Sequence, residues 1–394
     1  MSVPPVIVGV VGAGAMGRGI AQVAAAAGHH VLLSDADAGV VERARDTIRS
    51  GLARDVAKGR LDQPRADALL ARIESVGATS LGVGAFAECG LVIEAVVEDL
   101  SVKRTLFAAL EGVVDREAIL ATNTSSLSIA AIGAATTHAD RVVGMHFFNP
   151  APLMALVEIV PAITTTPEIA ERTRALAVAW GKTTVVATDT PGFIVNRVAR
   201  PFYGEALRIL EEGVADVATI DWAMRDVGGF RMGPFELMDL IGNDVNFAVT
   251  TSVYDGFFQD PRYRPSLIQR RLVDAGLLGR KRERGYYDYR AGAPAPAPVS
   301  DVDLAARIVL RIVAMLVNEA VDAVRLRVAA PHDIELAMTK GVNYPRGLLA
   351  WGDEIGPATI LHTLETLQAE YGEDRYRPSP LLRARVRDGA ALLG

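Results

Sequence analysis

The chain has 394 residues, half of them hydrophobic, with 41 basic against 47 acidic side chains and a net charge of −6. So much apolar content is ample for two or three domains, and the charge balance supplies no global basic field, which argues against a nucleic-acid partner. Cys89 is alone, which precludes an internal disulfide, and there is neither a basic leader nor an uncharged run long enough to cross a bilayer, so a cytoplasmic protein without membrane attachment is expected.

In chain order, the first 190 residues alternate short apolar runs with amphipathic ones. "VIVGVV" (6–11), "HVLLSD" (30–35), "LVIEAVV" (91–97), "AILATN" (118–123), "VVGMHFF" (142–148), "ALVEIV" (155–160) and "TTVVAT" (183–188) read as strands. They are rich in Val and Ile and bounded by Gly, Pro, Asp or Asn. Between most of them lie helical patterns such as "AMGRGIAQVAAAA" and "LSVKRTLFAALEGVV". This alternation predicts an α/β, doubly wound, mostly parallel sheet over 1–190, covered on both faces.

From Gly192 onward the apolar residues recur at helical spacing. "AGAPAPAPVS" (291–300) reads as an extended Ala/Pro linker that divides the helical part into 191–290 and 301–394. The two pieces are copies. A shift of 114 residues aligns Glu205–Ala206 with Glu319–Ala320, Ala223–Met224 with Ala337–Met338, and Ile241–Gly242 with Ile355–Gly356. The pentapeptide "RYRPS" recurs at 262–266 and 375–379. Two tandem all-α domains from an internal duplication are expected. The stretch 262–290 carries nine basic and three acidic residues, which reads either as a solvated face or as a site for an anionic ligand.

"GVVGAGAMGRGIA" (9–21) holds Gly12, Gly14 and Gly17 in a G-x-G-x-x-G arrangement, with Ala15 and Met16 at the opening of the helix. Gly12 allows the tight turn, Gly14 lets the backbone approach a pyrophosphate, and Gly17 lets helix and sheet pack closely. The pyrophosphate would meet the positive helix N-terminus. Asp35 ends the second strand, 23 residues after Gly12, where an acid accepts from ribose hydroxyls and repels a 2′-phosphate. NAD is therefore the expected cofactor.

His146 heads the run "HFFNPAPLMALVEIV", and Glu158 follows twelve residues later. A lone histidine on a strand is more often a hydrogen-bonded core residue than a catalyst. An unpaired carboxylate in "ALVEIV", however, is costly to bury. If the two runs pack side by side, Glu158 accepts from one ring nitrogen and fixes the tautomer, and the other nitrogen acts as a base. "TNTSSL" (122–127) places Ser125 where it donates to a reacting oxygen or caps a helix. "DTPGFIVNR" (189–197) opens a helix with Asn196, which either lines a site or pairs with backbone.

Together these motifs resemble the L-3-hydroxyacyl-CoA dehydrogenase family, in its 3-hydroxybutyryl-CoA dehydrogenase group. The resemblance covers residues 6–290 through "GAGAMGRGIA", "VIEAVVEDLSVK", "TNTSSLSI", "HFFNPAPLMALVEIV", "DTPGFIVNR" and "MGPFELMDLIG". It implies a Rossmann-type first domain, His146 as base with Glu158 as its partner, and Ser125 and Asn196 at the substrate oxygen. It also implies cofactor contacts at Asp35, Glu98, Lys103, Ser125 and Asn149. "GRKRERGYY" matches the family's "GKKTGEGFY" and brings in Lys281. For CoA it points to Lys58, although a serine that the family often places seven residues earlier is Gly51 here.

Short members have one helical domain and dimerise through it; long members, including 3-hydroxyadipyl-CoA dehydrogenases, carry a second copy. "IVNRVARPFYGEALRILEEG" resembles the phenylacetate-pathway long members. The second copy has Leu310 where the first has Asn196, and no HFFNP motif precedes it. It is expected to be non-catalytic and to pair with the first copy in cis, giving a monomer or a weak homo-oligomer. The competing reading is a CoA-independent sugar-acid dehydrogenase related to lambda-crystallin, with the same fold and His–Glu pair; Lys58 and the basic segment favour an acyl-CoA substrate.

Overall fold

Short runs, most of them rich in Val, Ile and Leu and too short for a stable helix, form eight strands among the described residues of the first part of the chain. They are β1 (Val8–Val11), β2 (Val31–Ser34), β3 (Ile73–Ser75), β4 (Leu91–Glu94), β5 (Ile119–Thr122), β6 (Val142–Phe147), β7 (Leu156–Pro161) and β8 (Thr183–Val186). The computed structural model describes residues 6–77 and 83–394. The residues ahead of Val6, on which the expected lack of a leader rests, lie outside the described ones. Contacts divide the chain into two units, Met1–Thr190 and Pro191–Gly394.

The first unit is one sheet in the order β3-β2-β1-β4-β5-β6-β7-β8. Every residue of β1, β2, β4 and β5 is buried, as parallel strands covered on both faces must be. The covering helices are α1 (Ala15–Ala26), α2 (Ala38–Ala57), α3 (Gln63–Ala71), α4 (Leu100–Glu111), α5 (Ile129–Gly133) and α6 (Pro167–Ala179). Asp37, Asp62, Asp99, Ser128 and Thr166 cap α2 to α6 with their own side chains. The exception is α1, which starts from Gly14 with no side-chain cap and no acid in its first turn.

Two features depart from the sequence reading. β3 is an added edge strand of three residues, too short to show an alternation. β6 and β7 run antiparallel within the otherwise parallel sheet. Only 148–155 separates them, and a parallel crossover needs a dozen residues or more.

The second unit is helical: α7 (Val195–Val198), α8 (Arg200–Glu211), α9 (Val217–Trp222), α10 (Pro234–Ile241), α11 (Asn243–Gly256), α12 (Leu267–Asp274), α13 (Val302–Arg325), α14 (Pro331–Leu336), α15 (Leu348–Ile355), α16 (Pro357–Tyr371) and α17 (Pro380–Asp388). From α9 on, the elements repeat. α9, a π-helical turn (Ala223–Val227), α10 and α11 recur 114 residues later as α14, a π-helical turn (Ala337–Gly341), α15 and α16. Even the tethers correspond. Asp221 accepts from the amides of Phe235 and Glu236, and Glu335 from those of Leu349 and Ala350.

The ends of the copies are exchanged. Glu319 accepts from Arg197 Nε and the Tyr263 hydroxyl, both at 2.6 Å. Its counterpart Glu205 accepts from Arg311 Nε at 2.6 Å and the Tyr376 hydroxyl at 2.8 Å. In each triad the carboxylate comes from one copy and the donors from the other, so the two copies face each other about a pseudo-twofold axis. The tyrosine of each "RYRPS" is what reaches across. One asymmetry is local: α13 runs unbroken where the first copy breaks between α7 and α8, because Pro201, which lacks an N–H, stands where the second copy has Met315.

Four of the nine basic residues in 262–290 pair with acids within the fold. Arg262 pairs with Asp260, Glu319 and Asp322, Arg270 with Asp274, Lys281 with Asp244, and Arg290 with Asp288.

Candidate active site

The glycine turn, Asp35, Glu98 and Ser125 follow the carboxyl ends of β1, β2, β4 and β5, and His146 is near that of β6, on the rim where open α/β sheets bind ligands; the strand order reverses between β1 and β4. The turn after β1 is built for close backbone approach. Gly12 has φ +99°, and a Cβ there would lie 2.4 Å from the Ala95 carbonyl oxygen. A Cβ at Gly17 would lie 1.7 Å from the Gly12 carbonyl oxygen. Around Gly14 there is open space, and Gly14 and Ala15 are exposed, with Met16 half-buried behind them. An uncapped helix N-terminus behind open backbone suits a pyrophosphate, so these residues fit a dinucleotide. Asp35 Oδ2 accepts from the Ala13 amide at 2.8 Å, which ties the acid after β2 to the glycine turn.

Beyond β4, a buried acid that sequence reasoning missed, Glu94, underlies the rim beside the expected Glu98 and Lys103. Glu94 is fully buried; it accepts from Lys103 Nζ at 2.5 Å, from the Thr122 hydroxyl at 2.6 Å and from the Val96 amide at 2.7 Å. Lys103 is equally buried and reaches Glu98 at 3.2 Å. Its signal was present in "VIEAVVEDLSVK", as a carboxylate in a fully apolar strand.

The loop after β5 wraps around Glu98, which accepts from the Thr124 hydroxyl at 2.6 Å, the Ser125 amide at 3.0 Å and the Ser126 hydroxyl at 3.1 Å. Burial alone would raise the Glu98 carboxyl, but the Lys103 charge and these donors hold it below the usual carboxylate range. The hydroxyl of Ser125 lies 3.4 Å from the same carboxylate. It is Ser128, not Ser125, that caps α5; Asp189 reinforces that cap by accepting from the Ser128 hydroxyl and the amides of Ile129 and Ala130.

His146 is the penultimate residue of β6, and the antiparallel register sets it directly opposite Glu158. The two are 5 % and 0 % exposed, and Nδ1 lies 2.7 Å from Glu158 Oε2. Asn123 Oδ1 holds the next amide, that of Phe147, at 2.8 Å, and the Phe148 ring tilts against the imidazole at 4.6 Å. Lys182 donates to the carbonyls of Ala151 and Met154 and so ties down the loop between the two strands. Burial pushes its pKa below the ordinary lysine value.

Asn149 is exposed and precedes a cis peptide bond to Pro150. Lys58 is exposed at the C-terminus of α2, a favourable place for a cation whatever its other role. In the second unit, Asn196 lies on α7, and its carbonyl accepts from Arg200 Nε at 2.7 Å. Lys281 Nζ is 2.6 Å from Asp244, so any cofactor would share it with that acid.

A buried histidine with its tautomer fixed, on the rim where a dinucleotide turn opens, has the chemistry of a nicotinamide-linked dehydrogenase of hydroxyl compounds. More particularly, the chain belongs to the 3-hydroxyacyl-CoA dehydrogenase family: the model of that family's NAD binding domain matches residues 7–190, and the model of its C-terminal domain matches twice, at 192–289 and 308–391. It is 42% identical to the 3-hydroxyadipyl-CoA dehydrogenase of Escherichia coli K12, over 96% of this chain and 97% of that one. It is 43% identical to a 3-hydroxybutyryl-CoA dehydrogenase of Bradyrhizobium diazoefficiens, over 73% of this chain and 97% of that one. The crystal structure of a 3-hydroxybutyryl-CoA dehydrogenase from E. coli K12 superposes with a TM-score of 0.91 at 41% identity, covering 98% of this chain and 99% of that one.

Proposed function

We propose that the protein oxidises a (3S)-3-hydroxyacyl-CoA to the 3-oxoacyl-CoA with NAD. The observation that carries this reading is the buried His146–Glu158 pair at the ligand-binding rim of a dinucleotide-type sheet. With Nδ1–H donated to Glu158, Nε2 is left to take the C3 hydroxyl proton, and the carboxylate stabilises the cation that forms. Bound NAD supplies the acceptor for the C3 hydride, which yields NADH, the ketone and one proton on His146. Ser125 and Asn196 hydrogen-bond the reacting oxygen, and Lys58 meets the CoA. Asp35 binds the ribose hydroxyls, beside the turn of Gly12, Gly14, Ala15, Met16 and Gly17; Glu98, Lys103, Asn149 and Lys281 complete the cofactor contacts.

Relatives named for acyl-CoA substrates favour this reading over a sugar-acid dehydrogenase. The test is NADH formation from 3-hydroxybutyryl- and 3-hydroxyadipyl-CoA beside L-gulonate. Turnover of the CoA esters is expected, and oxidation of gulonate alone overturns the reading.

In this reading 1–190 binds the cofactor, 191–290 supplies the catalytic Asn196, and 301–394, joined through the 291–300 linker, pairs with it in cis without a site of its own. A tethered copy is present at roughly millimolar effective concentration, which supports a monomer or a weak homo-oligomer. A cytoplasmic location accords with the buried thiol of Cys89. Among the described residues no helix is long and apolar enough to cross a membrane.

A further inference from the structure

The helical unit buries a guanidinium that has no carboxylate partner. Arg200 is 7 % exposed and lies four residues beyond Asn196. Its Nε donates to the Asn196 carbonyl at 2.7 Å and its Nη1 to the Thr250 hydroxyl at 3.1 Å, while its guanidinium carbon sits 4.9 Å from the Tyr203 ring centre. No acid among the described residues forms an ion pair with it. Arg197 and Arg375, buried in the same unit, each face a glutamate. Tyr344, contributed by the second copy, is also buried, and its hydroxyl has no hydrogen-bond partner. The Tyr344 ring packs on Phe202 and Phe230. A buried cation without an anion and a buried hydroxyl without a partner both carry a desolvation cost that a carboxylate would relieve.

We propose that Arg200, with the Tyr344 hydroxyl, binds a terminal carboxylate on the acyl chain, so that the substrate class is a 3-hydroxydicarboxylyl-CoA. This rests on the reading of Asn196 as a contact to the C3 oxygen. Arg200 reaches back across the break between α7 and α8 to the Asn196 backbone, so the two residues are neighbours. In a six-carbon diacid the terminal carboxyl carbon is only three bonds from C3, so the groups that hold its two ends must be neighbours too. The position equivalent to Arg200 in the second copy is Ala314, so the charge accompanies Asn196 alone. The second copy then has a part in specificity, through Tyr344.

The test compares kcat/KM for 3-hydroxyadipyl-CoA with that for 3-hydroxyhexanoyl-CoA, its uncharged equivalent of the same length. The full-length protein is expected to prefer the diacid by about 10–100-fold, the scale of a charged hydrogen-bonded contact. Arg200→Met should bring the ratio close to one, and Tyr344→Phe should lower it by about threefold. A ratio at or below one in the unaltered protein overturns the proposal, and this comparison needs no variant. So does a loss in Arg200→Met that falls equally on both substrates. If neither ester is oxidised, the proposed function itself fails and this proposal fails with it; oxidation of both without preference removes the proposal alone.

Discussion

At the scale of single residues, the site is a set of burial problems solved in pairs. An isolated ionised carboxylate inside a sheet is costly, and Glu158 is fully buried; His146 supplies the donor it needs and gains a fixed tautomer in return. Glu94 and Lys103 repeat the arrangement next door. Asp35 is different, because it stands partly exposed and reaches back to the glycine turn through Ala13. A 2′-phosphate beside that carboxylate would meet like charge, and the following residue, Ala36, offers no cation. The protein should therefore prefer NAD over NADP by at least about tenfold in kcat/KM. Asp35→Ala should narrow the gap, and equal efficiency with both cofactors in the unaltered protein would refute this assignment.

At the scale of elements, β6 and β7 do the decisive work. Their antiparallel register places the base and its partner opposite each other, and the shortness of 148–155 enforces that direction. The glycine turn, the acid after β2 and the His–Glu pair were legible in the sequence because each is a polar or glycine exception in an apolar pattern. The edge strand β3 was not, since three residues carry no period. Nor were the tethers at Asn123, Lys182 and Asp189, which act through contacts with residues distant in sequence. The crossed triads were hidden for the same reason, although both carboxylates stood in the aligned "EA" pairs. Removing Glu319 leaves Arg197 buried with only Asp322, at 3.5 Å. Glu319→Ala should therefore cost about 3–5 kcal/mol in denaturant unfolding. Glu205→Ala should cost less, because Arg311 keeps Glu212 at 2.8 Å. A loss below about 1 kcal/mol for Glu319→Ala would mean that the triad does not hold the copies together.

At the scale of the whole molecule, the duplication explains why a quarter of the chain has no counterpart in the shorter relative. The offset of 114 residues was legible because glycines and paired acids recur in register, with the "RYRPS" stretch one residue out of it. What the sequence concealed was the exchange, in which each copy's carboxylate is satisfied by the other's arginine and tyrosine. A chain ending at Arg290 keeps Arg197 and Tyr263 but loses their acceptor, and exposes the face of α8 that α13 covers. It should dimerise or aggregate in size-exclusion chromatography. A soluble, active monomer of that length would show that the second copy is not needed to cover the first.

The central claim is that His146, held by Glu158, is the base for oxidation of a 3-hydroxyacyl-CoA. The most direct test is NADH formation from (3S)-3-hydroxybutyryl-CoA by the unaltered protein, His146→Ala and Glu158→Gln, with NADH affinity measured on all three. His146→Ala should lose about 10²–10⁴-fold in kcat while NADH binding stays within about twofold, and Glu158→Gln should fall in the same direction. Turnover by His146→Ala at the rate of the unaltered protein would contradict the account.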